Sequence, residues 1–276
     1  MKRLFVLFGL TFVVMAGAST ESRAQWVLYD DFNTSRISRD KWFGTETSTG
    51  NMEVIRKIQG GVLHLFNRTY GDIVSDIGSQ QGTLRIDFTN PDAIKGFRAR
   101  VRIMDYEAED CATNQTATST RLRLHGHFFN TVSPQGNPTN DVVAYIGVRS
   151  QSDWSDPPDT LRVVSSIWRC LNQVCAVDNV DLDIIDYREI GTVQVGVWTT
   201  LGIEWDPTKH RFVFKLGAKS IPVSYAQYLQ DHDLEDKELP GYKTKSIQTT
   251  EVCPNCSAPP RSTGSMDAYF DNIYVK

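Results

Sequence analysis

Apolar and polar residues alternate with period two along most of this chain. Leu63 and Leu65 share one side after Gly60-Gly61, and Leu84, Ile86 and Phe88 do so after Gly82. Phe97, Ala99, Val101 and Ile103 interleave with Arg98, Arg100 and Arg102. Leu122, Leu124, Gly126 and Phe128 interleave with Arg121, Arg123, His125 and His127, and Val142, Ala144, Ile146 and Val148 make a further row. Successive side chains on a strand point to opposite faces, so each run predicts a strand with one buried and one polar face, as in antiparallel sheets. Leu201, Ile203 and Trp205 face Phe212, Phe214 and Leu216 across Asp206-Pro207-Thr208-Lys209. This is a hairpin signal, because Pro207 presets the turn and Asp206 can bond back to its backbone. A helix is predicted only near Tyr225 to Leu229, and the charged stretch 231–245 reads as a surface loop. Many short strands divided by turns imply an all-β chain folded as a two-sheet antiparallel jelly-roll β-sandwich.

Residues 1–24 read as a signal peptide. Lys2 and Arg3 precede the apolar run Leu4 to Met15, and small residues follow at Ala16, Gly17, Ala18 and Ala24. The run is short for a bilayer span and none recurs downstream, so the expected protein is exported, periplasmic or extracellular, and not membrane-spanning. With no linker or repeat in sight, residues 25–276 are expected to form a single domain. The formal charge is −4, and removal of Lys2, Arg3, Glu21 and Arg23 makes it two units more negative. A net acidic chain disfavours nucleic acid as a partner.

All five cysteines follow residue 24, and an oxidising compartment makes disulfides the default. Cys170 and Cys175 flank a loop short enough to be stapled at a hairpin tip. Cys253-Pro254-Asn255-Cys256 reads as a second, local disulfide. A redox pair would want a thioredoxin-like βαβ setting and zinc would want further ligands, and neither stands out. That arrangement leaves Cys111 odd.

Several segments carry a resemblance. Tyr29-Asp30-Asp31-Phe32 with Asp40-Lys41-Trp42, then Gly60 to Leu65, Val197 to Asp206 with Phe212 to Phe214, and Phe270 to Val275 resemble the opening, second, central and closing strands of concanavalin A-like lectin/glucanase proteins. The resemblance, closest to secreted bacterial members, implies the sandwich fold strongly and function weakly, since lectins, glycosidases, lyases and adhesion modules share it.

Retaining glucanases of that superfamily use Glu-x-Asp-x-x-Glu on one strand, and Asp181-Leu182-Asp183-Ile184-Ile185-Asp186 is similar to it. The resemblance makes Asp181, Asp183 and Asp186 the catalytic candidates. A bulge at the isoleucines would return the last carboxylate to the face of the first. The chemistry needs two carboxyls about 5–5.5 Å apart, and aspartate is a methylene too short at both outer positions.

The ligand-binding candidates are Arg100, Arg102, Arg121, Arg123, His125, His127 and Trp154. Were the two arginine strands paired with like faces aligned, they would make one cationic surface suited to the carboxylates or sulfates of an acidic polysaccharide. His125 and His127 could share a metal, but no third ligand stands out. Trp154, in a loop, reads equally as a sugar platform or an anchor, and Tyr145, Trp168 and Tyr187 are further rings. Trp42, Trp198 and Trp205 read as core or strand-end packing. No cofactor is required by this reading. The resemblance suggests a structural calcium at Asp30 or Asp31 and Asp271, where first and last strands meet. The expected function is a secreted carbohydrate-binding or surface-interaction protein without catalysis. The alternative is a polysaccharide-degrading enzyme, either a hydrolase using Asp181 and Asp186 or a lyase working from the Arg/His face.

Overall fold

A computed structural model describes residues 25–175 and 182–276. The expected signal peptide and Asp181 therefore lie outside the described residues. The strands are β1 (Val27–Asp30), β2 (Trp42–Ser48), β3 (Met52–Gln59), β4 (Val62–Tyr70), β5 (Ser79–Phe88), β6 (Gly96–Glu109), β7 (Ser119–Asn130) and β8 (Asp141–Gln151). They continue with β9 (Thr160–Cys170), β10 (Leu182–Gln194), β11 (Thr199–Asp206), β12 (Arg211–Leu216), β13 (Lys219–Ser224), β14 (Lys245–Pro254) and β15 (Thr263–Val275). One short helix, α1 (Ala226–Asp231), precedes β14.

All strand pairs are antiparallel and make two stacked sheets, a jelly-roll β-sandwich. The eight-stranded sheet runs β13-β12-β11-β6-β15-β4-β3, with β1 beside β15, and the seven-stranded sheet runs β10-β9-β8-β7-β14-β5-β2. The inward rows are those the alternation predicts. Phe97, Ala99, Val101 and Ile103 meet Leu122, Leu124, Val142, Ala144, Ile146 and Val148 in one buried cluster with Leu84, Ile86, Phe212 and Phe214. Removing these side chains from water is the main favourable contribution, about 1.5–3 kcal/mol for each fully buried Val, Leu, Ile or Phe. The β11–β12 hairpin closes through a 3₁₀ turn at Pro207–Lys209 and a left-handed His210 (φ 43°). Asp206 does not cap that turn; its carboxylate takes Arg211 at 3.1 Å.

The opening motif acts as a clamp. Trp42, buried, donates its indole N–H to Asp30 Oδ2 at 2.7 Å, and Tyr29 donates its hydroxyl to the Lys41 carbonyl at 2.6 Å. Trp198, by contrast, is not in the core: it is half-buried on the outer face of the eight-stranded sheet under Arg100 and Arg102.

The two disulfides are Cys170–Cys175 and Cys111–Cys256. The expected Cys253–Cys256 bridge is corrected. Cys253 lies in β14 pointing between the sheets, its thiol 3.1 Å from the Thr69 carbonyl, while Cys256 lies past the strand end, facing the loop that holds Cys111. Residues three apart along extended chain are about 10 Å apart, beyond the about 7 Å that a disulfide spans. Disulfides are compatible with an exported protein.

Candidate functional site

The two arginine rows do not meet. Strand β6 sits between β11 and β15 in one sheet, and β7 between β14 and β8 in the other. Both rows alternate with core residues, so both point outward, onto opposite sides of the sandwich. The single cationic surface expected from Arg100, Arg102, Arg121 and Arg123 is corrected to two separate faces.

On the outer face of the seven-stranded sheet, register builds three cross-strand rows. Thr83, Thr250, Arg121, Arg149 and Arg162 lie side by side across β5, β14, β7, β8 and β9. The next row is Arg85, Gln248, Arg123, Gly147 and Val164, and the third is Asp87, Ser246, His125, Tyr145 and Ser166, with Tyr187 beyond on β10. Arg121 thus stands directly opposite Arg149, and Arg149 opposite Arg162. Like charges at such positions repel.

The compensation is uneven. Arg162 takes Asp156 at 2.9 Å and Glu189 at 3.5 Å, and Arg85 takes Asp87 at 3.0 Å. Arg121, Arg123 and Arg149 have no carboxylate within ion-pair distance among the described residues. Arg121 donates to the Ser119 hydroxyl at 3.1 Å. Arg123, 8% exposed, donates to the Thr250 hydroxyl at 3.0 Å and lies 5.7 Å from the Tyr145 ring centre. Arg149 donates to Gln151 and lies 5.1 Å from Trp154, whose other contact is Arg162 at 4.2 Å. The Nε of each of these three is buried and has no partner among the described residues. Burial, then Arg149 and Arg123, push the Arg121 guanidinium down to about 9, which leaves it charged at neutral pH; burial lowers Arg123 as well. Glu251 offers no ion pair. It points to the opposite face of β14, binds the Thr120 hydroxyl at 3.4 Å, and burial holds its carboxyl far above the usual range.

Gly147 is what lets Arg123 lie flat. A Cβ there would come 2.8 Å from Arg123 Cγ and 2.4 Å from the Leu122 carbonyl. His125 faces Tyr145 in register and Trp168 at 5.9 Å, with Nδ1 unpartnered. Burial, then His127 and Arg123, lower its pKa well below 6.5, so its ring is neutral. His127 is anchored instead: its Nδ1 meets Asp141 Oδ2 at 2.9 Å, and Asp141 also accepts from Asn130, Gly241 N and Tyr242 N. Among the described residues no group of three His, Cys, Asp or Glu side chains could hold a metal. Trp168 packs on this same outer face with Val143, Tyr145 and Val164 rather than between the sheets.

Asp183 and Asp186 are elsewhere. The pairing slips between Ile184 and Asp186, so Asp183 stands opposite Arg169 and Asp186 opposite Ile167, both on the inward side of the edge strand β10. Asp183 accepts the Tyr228 hydroxyl at 2.5 Å and meets Arg169 at 3.5 Å; Asp186 accepts Arg188 Nε at 2.8 Å. Neither reaches the arginine face.

The two expected calcium ligands, Asp30 and Asp271, are both engaged within the protein. Asp30 accepts the Trp42 indole and the Phe32 amide and stands 3.7 Å from Lys41 Nζ; Asp271 faces Arg100 at 3.6 Å and takes the Asn272 amide. In this arrangement the two carboxylates are occupied by N–H donors and cations. A shallow groove of about 430 Å³ lies on this side of the molecule, lined by Arg98, Arg100, Thr200, Lys215, Asn272 and Tyr274.

Arg149, Arg85, Gln248 and Thr250 are not among the candidates that the sequence pattern points to. Arg149 was findable, since it continues the outward positions of the Val142–Val148 row; Gln248 and Thr250 lie on a strand without apolar alternation.

No protein-family model matches the sequence. Among solved structures the chain is similar to a β-1,3-glucanase from Mycobacterium marinum (13% identity, 92% of this chain and 99% of that one, TM-score 0.44). It is also similar to the catalytic domain of an endo-1,3-β-glucanase (laminarinase) from Thermotoga petrophila RKU-1 (14%, 91% and 97%, TM-score 0.41). A third is the exoplasmic/lumenal domain of VIP36 in its Ca²⁺/Man3GlcNAc-bound form (8%, 92% and 92%, TM-score 0.34).

Proposed function

We propose that this chain binds carbohydrate on the outer face of the seven-stranded sheet and does not cleave it. The observation that carries the reading is the make-up of that face. Tyr187, 50% exposed, and Trp154 offer rings beside Arg121 and Arg149, with Tyr145, Arg123, Gln248 and Thr250 nearly buried between them. Large rings with fixed polar groups beside them are what orient a ligand in a binding site. Among the described residues, hydrolysis by two carboxyls finds no unpaired pair there. The carboxylates at its margin, Asp87, Asp141, Asp156 and Glu189, are each already paired with Arg85, His127 or Arg162. Asp183 and Asp186 are engaged on the inward side.

A glycan array, followed by incubation with each bound polysaccharide, tests this. The expected result is retention without new reducing ends and without absorbance from a new double bond. Reducing ends would establish hydrolysis and the absorbance would establish elimination, and either would overturn the non-catalytic reading. Retention of nothing would remove the carbohydrate reading itself.

A further inference from the structure

We propose, resting on that reading, that the ligand is an acidic glycan whose uronate carboxylates are held by Arg121, Arg123 and Arg149. Three guanidinium groups occupy neighbouring outward positions on two central strands. Two of them stand directly opposite each other, and none has a carboxylate partner, although the same sheet supplies partners to Arg85 and Arg162 on either side. Burying an unpaired charge is strongly unfavourable. The Nε atoms of all three are themselves buried, so a carboxylate would be met by the terminal Nη groups, whose planar pair matches it bidentately. Gly147 leaves room for the Arg123 stem to pack down onto β8, room that a side chain there would take. Tyr187, 50% exposed and in the row next to that of Arg123, lies where the sugar ring bearing that carboxylate would rest, with Tyr145 buried beneath Arg123. A chain of uronates would therefore complete the electrostatics that the fold leaves unfinished. Trp154, already sandwiched between Arg149 and Arg162, positions those two cations at the edge of the site.

The test uses the whole chain and four probes: polygalacturonate, its carboxyl-reduced neutral counterpart, dextran sulfate, and single-stranded DNA, titrated at low and high salt. The expected result is tightest binding to polygalacturonate, at least about tenfold over the neutral polymer, weakening as salt rises. Arg123→Gln and Arg149→Gln should each weaken it about tenfold or more, Arg123→Lys less, and Arg100→Gln on the opposite sheet not at all, with thermal melts confirming that each variant is folded. Equal binding of charged and neutral polymers would overturn the uronate assignment and leave the carbohydrate reading standing. Preferred binding of dextran sulfate would replace carboxylate by sulfate ester, and DNA bound as tightly as polygalacturonate would overturn the glycan assignment. A folded protein that binds none of the four defeats this proposal; the array above then decides whether the broader reading survives.

Discussion

The two sheets carry matching rows of arginine on their outer faces and treat them differently. On the eight-stranded sheet each guanidinium is covered by rings. Arg98 lies 4.8 Å from Trp26 and 4.6 Å from Tyr274, Arg100 lies 5.0 Å from Trp198 beside Asp271, and Arg102 lies between Trp198 at 4.9 Å and Tyr269 at 5.5 Å. On the seven-stranded sheet Arg121 has no ring, Arg123 has one distant ring, and Arg149 shares Trp154 with Arg162. The second row is also set against its own kind across the strands. Among the described residues Arg98 and Arg102 also lack a carboxylate, and the Arg102 Nε is unpartnered. What distinguishes the eight-stranded face is therefore its cover of rings; the proposed anionic ligand would supply the cover that the other face lacks. Sequence alternation makes the rows look the same, and only their neighbours tell them apart.

The largest expected effect tests the ring-covered side. Trp198→Ala removes the ring shared by Arg100 and Arg102 and should destabilise the protein by about 2 kcal/mol, from lost cation–π attraction and lost ring burial. Thermal or denaturant unfolding measures it. An unchanged stability would mean that these rings do not hold the arginine row, and the contrast between the faces would collapse.

The sign should reverse on the other side. Arg123→Met replaces a buried, unpaired guanidinium with an apolar chain of similar reach and should stabilise the ligand-free protein by about 1 kcal/mol. Thr250 is not orphaned by the change, because its hydroxyl also meets that of Thr83 at 3.3 Å. A clear loss of stability in the same unfolding measurement would show that Arg123 is a structural residue. Gain of stability together with loss of polygalacturonate binding is the outcome that separates a site from a scaffold.

Much of the fold was legible because its central strands bury clean rows, as Phe97 to Ile103 and Leu122 to Phe128 do. Strand β14 was not, since its inward positions are Ile247, Thr249, Glu251 and Cys253. A strand buried on both faces, with polar groups bonded across the sheets, loses the period-two signal that reveals it. The site was half legible for the same reason. Alternation put Arg121, Arg123 and His125 on one face, but it could not say which strand would lie beside β7. That neighbour proved to be β8 with Arg149 on one side and β14 with Gln248 and Thr250 on the other. Nor could it separate Cys253 from Cys256, because the bridge depends on where β14 ends relative to the loop holding Cys111. For Trp198 core and strand-end packing stay open in the sequence, because an aromatic residue before a strand looks the same whether it packs inward or lies beneath two arginines.

The smallest effect is a pH dependence that belongs to the seven-stranded face alone. His125 is surrounded by His127, Arg123 and Arg85, all of which, with burial, disfavour its charged form and lower its pKa below 6.5. The unfolded chain therefore takes up a proton near pH 6.5 where the folded chain does not. Stability is fully present above that pH and declines as the pH falls from 6.5 toward the lower folded value. His127 acts in the same direction, with Asp141 opposing burial. His125→Gln should flatten the decline without abolishing it, as followed by melting temperature between neutral and mildly acidic pH. A bound uronate would place a negative charge beside the imidazole and favour its protonated form, so polygalacturonate should offset part of the acid-side loss in the wild type and less of it in His125→Gln. An acid-side slope indifferent to both the substitution and the polymer would place His125 outside the electrostatic reach of the arginine cluster.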